Sequence, residues 1–180
     1  MMTPPEQKLN VHWVIEGRLR QILVSLNQSF VARCESEIDF SVEHQPHITI
    51  AMGYILNEDE VLARFADVAK QLAPIQFGLG TPYRDPRGGC YVFMDPTDPA
   101  PFIKAKLRAH ATMSGVLRAS TYGGASNPPH LSLAYTRRNC PMPHDAEVYA
   151  SAEVFAVSRI ALSRCGNHGT CIDQIEVLDV

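Results

Sequence analysis

Pro46-His47-Ile48-Thr49-Ile50-Ala51 and Pro129-His130-Leu131-Ser132-Leu133-Ala134 are two copies of one phrase. Each reads proline, histidine, aliphatic, hydroxyl, aliphatic, alanine, and the two histidines lie 83 positions apart. Side chains on a β-strand alternate between faces. His47 and Thr49 therefore share one face while Ile48 and Ile50 take the other, and His130 and Ser132 repeat the arrangement against Leu131 and Leu133. If the two strands lie side by side, two imidazoles and two hydroxyls converge.

That convergence has a chemistry. Imidazole titrates near ~6.5 in the absence of perturbation, so near neutrality one ring of a pair can accept a proton while the other gives one. Cleavage of a phosphodiester needs both actions, each contributing on the order of 10²- to 10⁴-fold. The Thr49 and Ser132 hydroxyls can donate hydrogen bonds to non-bridging phosphate oxygens, where charge is held in the transition state. A single His-x-Thr in a strand is more often a structural histidine; the second copy makes a paired site the better reading.

Length and composition narrow the substrate. The 180 residues suit one domain, 1–180, with its own core. The net charge of −3 argues against a protein that grips a long polyanion through many basic side chains and favours a small nucleotide. The sequence has no apolar stretch long enough to cross a bilayer, and Met1–Glu6 lacks the pattern of a signal peptide, so a cytoplasmic location is expected. Five scattered cysteines suit free thiols better than a disulfide framework. The cluster Cys165-Gly166-Asn167-His168-Gly169-Thr170-Cys171 offers at most three zinc ligands and reads better as a hairpin turn, with a Cys165–Cys171 bridge open under oxidation. Neither a metal nor a cofactor is expected.

Along the chain, residues 10–16 read as a strand and 18–33 as an amphipathic helix on Leu19, Ile22, Leu23, Leu26 and Phe30. The first motif strand spans about 46–54. Asn57 and the acidic run Glu58–Glu60 open a helix that buries Leu62, Phe65, Ala69 and Leu72 and ends near Pro74. Ile75–Tyr83 and Gly89–Met94 form a hairpin around Asp85-Pro86-Arg87-Gly88. Asp98-Pro99 opens a third helix with Ile103, Leu107 and Ala111 facing inward. The second motif strand follows Gly123-Gly124, and strands at about 153–164 and 170–179 close the chain. This order predicts an α+β fold.

The two motifs resemble those of the 2H phosphoesterase superfamily, which carries two His-x-Thr/Ser elements, and both copies match without departure. The resemblance implies a two-lobed, internally duplicated pair of antiparallel sheets with helices on the outer faces and a central groove, the 2H phosphoesterase / RNA ligase-like fold. Val11-His12-Trp13-Val14, Cys90-Tyr91-Val92-Phe93, Tyr135 and Arg159-Ile160-Ala161-Leu162 make the chain most similar to the small cyclic phosphodiesterases. These imply a metal-independent hydrolase opening a nucleoside 2′,3′-cyclic phosphate or ADP-ribose 1″,2″-cyclic phosphate. His47 and His130 would be catalytic, Thr49 and Ser132 would hold the phosphate, and Trp13 and Tyr135 would stack on base or ribose, with packing of Trp13 in the core as the equal alternative. Strict alternation turns Tyr135, three positions beyond Ser132, off the catalytic face unless the strand bends. Arg84, Arg87, Arg137 and Arg138 lie near loop ends, where a solvated side chain is the commoner outcome and added charge for phosphate the alternative. His44, an odd number of positions from His47, would face away if the strand extends that far, and His12, His110 and His144 have no evident partner. The expected partners are a small nucleotide or cyclic phosphate and short RNA ends, acting on a monomer with no membrane. The alternatives are cleavage or ligation of a 2′-5′ linkage in RNA or oligoadenylate, a nucleotide-binding module without turnover, and a zinc hydrolase built on Cys165, His168 and Cys171.

Overall fold

A computed structural model describes residues 7–42, 44–86, 89–121, 123–137, 139–142 and 153–180. In chain order the elements are β1 (Lys8–Val14), α1 (Gly17–Cys34), β2 (His47–Ile55), α2 (Glu58–Gln71), β3 (Ile75–Phe77), β4 (Tyr83–Arg84), β5 (Tyr91–Met94), α3 (Ala100–Met113), β6 (Leu117–Ala119), β7 (Leu131–Tyr135), β8 (Phe155–Val157), β9 (Arg159–Cys165) and β10 (Cys171–Asp179). The fold is α+β, as the sequence predicts.

Among the described residues the main sheet runs β10-β9-β1-β2-β7-β5-β4, with β6 also pairing β2, and its pairings are antiparallel. The motif strands β2 and β7 are neighbours at its centre. One lobe is β10-β9-β1-β2 and the other β7-β5-β4, and the seam between them is a single paired position, Ile48 with Leu131. The sequence-predicted partner of Gly89–Met94 is divided: Ile75–Phe77 leaves the main sheet to pair with β8, and only Tyr83–Arg84 completes the hairpin with β5. The turn residues Arg87 and Gly88 lie outside the described residues.

α1 packs on β7 and α3 on β2, with α2 against α3. Each helix buries an apolar stripe at 3–4 residue spacing. On α1 the stripe is Leu19, Leu23, Leu26 and Phe30 as expected, with Asn27 and Cys34 added and Ile22 half-buried beside it. On α2 it is Val61, Phe65, Val68 and Ala69, leaving Leu62 51% exposed. On α3 it is Phe102, Ala105, Ala109 and Met113, so Ile103 and Leu107 face outward at 38% and 56% exposure. Both α3 stripes have helical spacing; the one that wins carries small alanines that allow close approach and a phenyl ring that meets Trp13 edge-on at 6.3 Å.

The expectation of free thiols is corrected at one pair. Cys34 at the end of α1 and Cys140 after β7 form a disulfide with Cα atoms 5.6 Å apart, while Cys90, Cys165 and Cys171 are free. Cys165 and Cys171 face each other across β9 and β10 without bonding. Among the described residues no helix is long and apolar enough to cross a membrane.

Candidate active site

The register at the seam assembles the site. Pairing of Ile48 with Leu131 sets His47 across from Ser132 and Thr49 across from His130. Directly opposed residues point to one side of a sheet with Cβ atoms about 4.5–5.5 Å apart, and diagonal neighbours lie at about 7–8 Å. All four side chains line one groove of about 1010 Å³, at the upper end of the size that holds a nucleotide-like ligand. Ile48, Ile50, Leu131 and Leu133 are buried on the opposite face, as alternation requires.

The two histidines are oriented by the same device. His47 Nδ1 donates to the Gln45 carbonyl at 2.9 Å, and His130 Nδ1 donates to the Pro128 carbonyl at 3.0 Å. A carbonyl only accepts, so Nδ1 carries the proton and Nε2 holds the lone pair in each neutral ring. This gives the motif prolines a role. Residues preceding proline are held extended, so Pro46 and Pro129 fix the backbone that presents the orienting carbonyl.

Behind the first copy lies a buried polar layer from β1. Lys8, Asn10 and His12 alternate onto the groove side, with His12 paired to Thr49 and Asn10 to Met52. The fully buried Asn10 amide donates to His47 Nε2 at 3.2 Å, Thr49 Oγ1 at 3.1 Å and Cys171 Sγ at 3.4 Å, and its own Oδ1 has no partner. His12 sits with its ring centroid 5.0 Å from that of His47 and its Nε2 accepting from Ser163 at 2.9 Å. Burial pushes His47 down to about 4, against the opposing hydrogen bond to Gln45, with the His130 charge adding to the fall. Burial, then the His47 charge, takes His12 down to about 3.

Behind the second copy lies an aromatic wall. Phe93 stands 4.5 Å from the His130 ring, Tyr91 stacks on Phe93 at 5.5 Å, Tyr135 meets Tyr91 edge-on at 4.8 Å, and His168 stacks on Tyr135 at 4.0 Å. Glu37 holds His168 Nε2 at 2.7 Å.

Tyr135 reaches the groove through a β-bulge. Tyr91 and Val92 pair with Tyr135 and Ala134, but Phe93 pairs with Ser132, so Leu133 is an extra residue in β7. The insertion shifts parity by one and returns Tyr135 to the face of Ser132. The Leu133 carbonyl accepts from the buried Asn27 amide of α1 at 2.7 Å. The first copy has the same insertion at the same place: Val11 pairs with Ala51 and His12 with Thr49, so Ile50 is extra in β2, and Met52 occupies the position equivalent to Tyr135.

Trp13 is corrected. It pairs with Ile48 and Ile160 on the core face, is 1% exposed, and packs on Phe102 away from the groove. Its neighbour His12 is the β1 residue that turns toward the site. Arg84 is engaged by Thr136 and the Cys140 carbonyl, and Arg137 by Glu35; Arg87, Arg138 and His144 lie outside the described residues. His44 accepts from the Asp39 amide. The zinc alternative does not assemble, because His168 is turned to Glu37 and Tyr135 while Cys171 lies against Asn10, and no group of three or more metal-binding side chains occurs among the described residues. Tyr91, Phe93 and Lys106 of the groove, and Asn10 buried behind His47 and Thr49, are not singled out as site residues by the motif pattern. Asn10 alternates with the apolar Val11 and Trp13, which is the one signal that could have flagged it.

No curated protein is significantly similar to the chain in sequence. Its fold is similar to that of Escherichia coli LigT complexed with phosphate (11% identity, 97% of this chain and 98% of that one, TM-score 0.61) and complexed with 3′-AMP (12%, 97% and 98%, 0.60). It is also similar to TT0787 of Thermus thermophilus (16%, 96% and 97%, 0.66). The family model described as the 2′-5′ RNA ligase superfamily matches residues 26–168, which include both motifs. The chain therefore belongs to the 2′-5′ RNA ligase superfamily, within the 2H phosphoesterases, and this supports phosphodiesterase-type activity.

Proposed function

We propose that this chain is a phosphodiesterase that hydrolyses a small ribose cyclic phosphate, a nucleoside 2′,3′-cyclic phosphate or ADP-ribose 1″,2″-cyclic phosphate, with its two histidines as acid and base. The observation that carries it is the seam register, which supports a single phosphate flanked by His47 and His130 with Thr49 and Ser132 beside them. His47 is the base: burial holds its ring neutral, and its Nε2 lone pair, which accepts from the Asn10 amide at 3.2 Å, turns to the attacking water while that amide keeps Thr49 Oγ1. It takes a proton from water as the oxygen attacks phosphorus. His130, protonated on Nε2 in the working state, gives that proton to the ribose oxygen as the P–O bond breaks. Thr49 and Ser132 donate to the non-bridging oxygens, and Tyr135 offers its ring to the base or ribose. The imidazoles supply both proton transfers, so the reaction needs no metal.

A second reading, action on a 2′-5′ linkage, is favoured by the family model's own description and by a groove open enough for a longer ligand. One panel separates the two: cyclic nucleotides, ADP-ribose cyclic phosphate and 2′-5′ oligoadenylates, with and without chelator, products read by mass spectrometry. Chelator-insensitive opening of a cyclic phosphate is expected. Cleavage of the oligomers alone would transfer the assignment to the second reading, and nucleotide binding without product from any compound would make the chain a binding module.

A further inference from the structure

Lys106 lies on the buried stripe of α3 at 3% exposure, yet it borders the same groove as the two histidines. No hydrogen bond or ion pair engages its ammonium among the described residues. Its neighbour one turn on, His110, has a buried Nε2 with no partner and brings no negative charge.

The topology explains how a lysine on a core-facing helix borders the site. β2 and β7 share only the position Ile48–Leu131; beyond it β2 pairs with β6, while residues 123–130 run as a loop. The sheet therefore parts beside Thr49 and His130, and α3 packs against β2 there. Elsewhere a buried cation is paired, because an uncompensated one is costly. Here the open side available to a counter-charge is the groove that Lys106 borders.

We propose that Lys106 is an anion-binding residue of this groove, its ammonium pairing with a non-bridging oxygen of the phosphate held between His47 and His130. The proposal rests on the reading of the groove as a phosphodiester site and adds to it: the occupant must be anionic, and a positive charge borders the groove that the hydroxyls line. Desolvation pushes the Lys106 amine down to about 8, so it still carries its proton at neutral pH, and an anion alongside would return it toward its ordinary range.

Calorimetry with inorganic phosphate on the full chain tests this. Lys106→Met keeps the length of the side chain and removes the charge; a charge-assisted hydrogen bond lost in this way should weaken phosphate binding by about tenfold to a hundredfold. Unchanged affinity in that variant overturns the proposal. Should Lys106→Met not fold, NMR of wild-type protein carrying labelled lysine decides: phosphate must raise the titration midpoint of Lys106, and a midpoint that does not move overturns the assignment. The two readings fail separately. Phosphate binding that depends on Lys106, with no turnover of any ester, sinks the phosphodiesterase and leaves the anion site standing. Turnover that depends on the histidines and is unchanged in Lys106→Met does the reverse.

Discussion

The two copies of the motif share a proline, a ring-orienting carbonyl, a hydroxyl and a bulge, and differ in what stands behind them. His47 is backed by Asn10 and His12 in a buried polar layer. His130 is backed by Phe93 and a run of rings leading to Tyr135 and His168. At the equivalent bulged position the first copy has Met52 and the second Tyr135. The backbone is duplicated while the surroundings are specialised: one side holds the His47 ring neutral, and the other presents flat aromatic surface to the groove.

The comparison can be broken at its base by removing the duplicated side chains. His47→Ala and His130→Ala should each lower kcat/KM by about 10²- to 10⁴-fold, with little effect on folding because both rings border the groove. Full activity in either variant would leave the two copies without a shared task. The next largest effect separates the equivalent positions. Tyr135→Ala should raise KM for a nucleotide about tenfold, since a base–aromatic stack is worth about 1–3 kcal/mol, whereas Met52→Ala should change it less. Equal effects would mean that the aromatic wall is packing alone.

Two pH measurements sharpen the contrast. With His47 at about 4 as the base, kcat/KM should hold down to about pH 5 and fall below it; an acidic limb at the ordinary imidazole value of ~6.5 would exclude that role. Stability follows the same shifts. His47 and His12 titrate lower in the folded chain than in the unfolded one, so between these values the unfolded chain binds more protons. Their contribution is complete above ~6.5 and is lost as pH falls through about 4 and then about 3. The melting temperature should drop across that window, and His12→Gln should shrink the drop. A flat profile from pH 7 to 4 would mean that the layer behind His47 is wet.

The motif faces were legible because alternation is a local property: His47 with Thr49 and His130 with Ser132 needed no partner strand to be assigned. The bulges at Ile50 and Leu133 were not, since an extra residue exists only relative to the strand opposite. Tyr135 therefore reads from sequence as facing away, and the structure brings it in. Trp13 and His12 were exchanged for a related reason. An aromatic ring suggests stacking, but the residue paired with Thr49 is His12, and the choice lies in the register of β1. On α3 two stripes of equal spacing competed, and only contact with the sheet decided between them. Cys34 and Cys140 lie 106 residues apart and meet only because α1 packs on β7.

The extra leucine in the second motif strand also limits how this chain can be edited. Excising Leu133 would leave Ser132 and Tyr135 on their present sides, because removing a bulge restores plain alternation. It would also straighten the backbone and strand the Asn27 amide that now caps the bend. A one-residue gap at this point between distant relatives would therefore signal a change in curvature and anchoring, with the same side chains still presented to the groove.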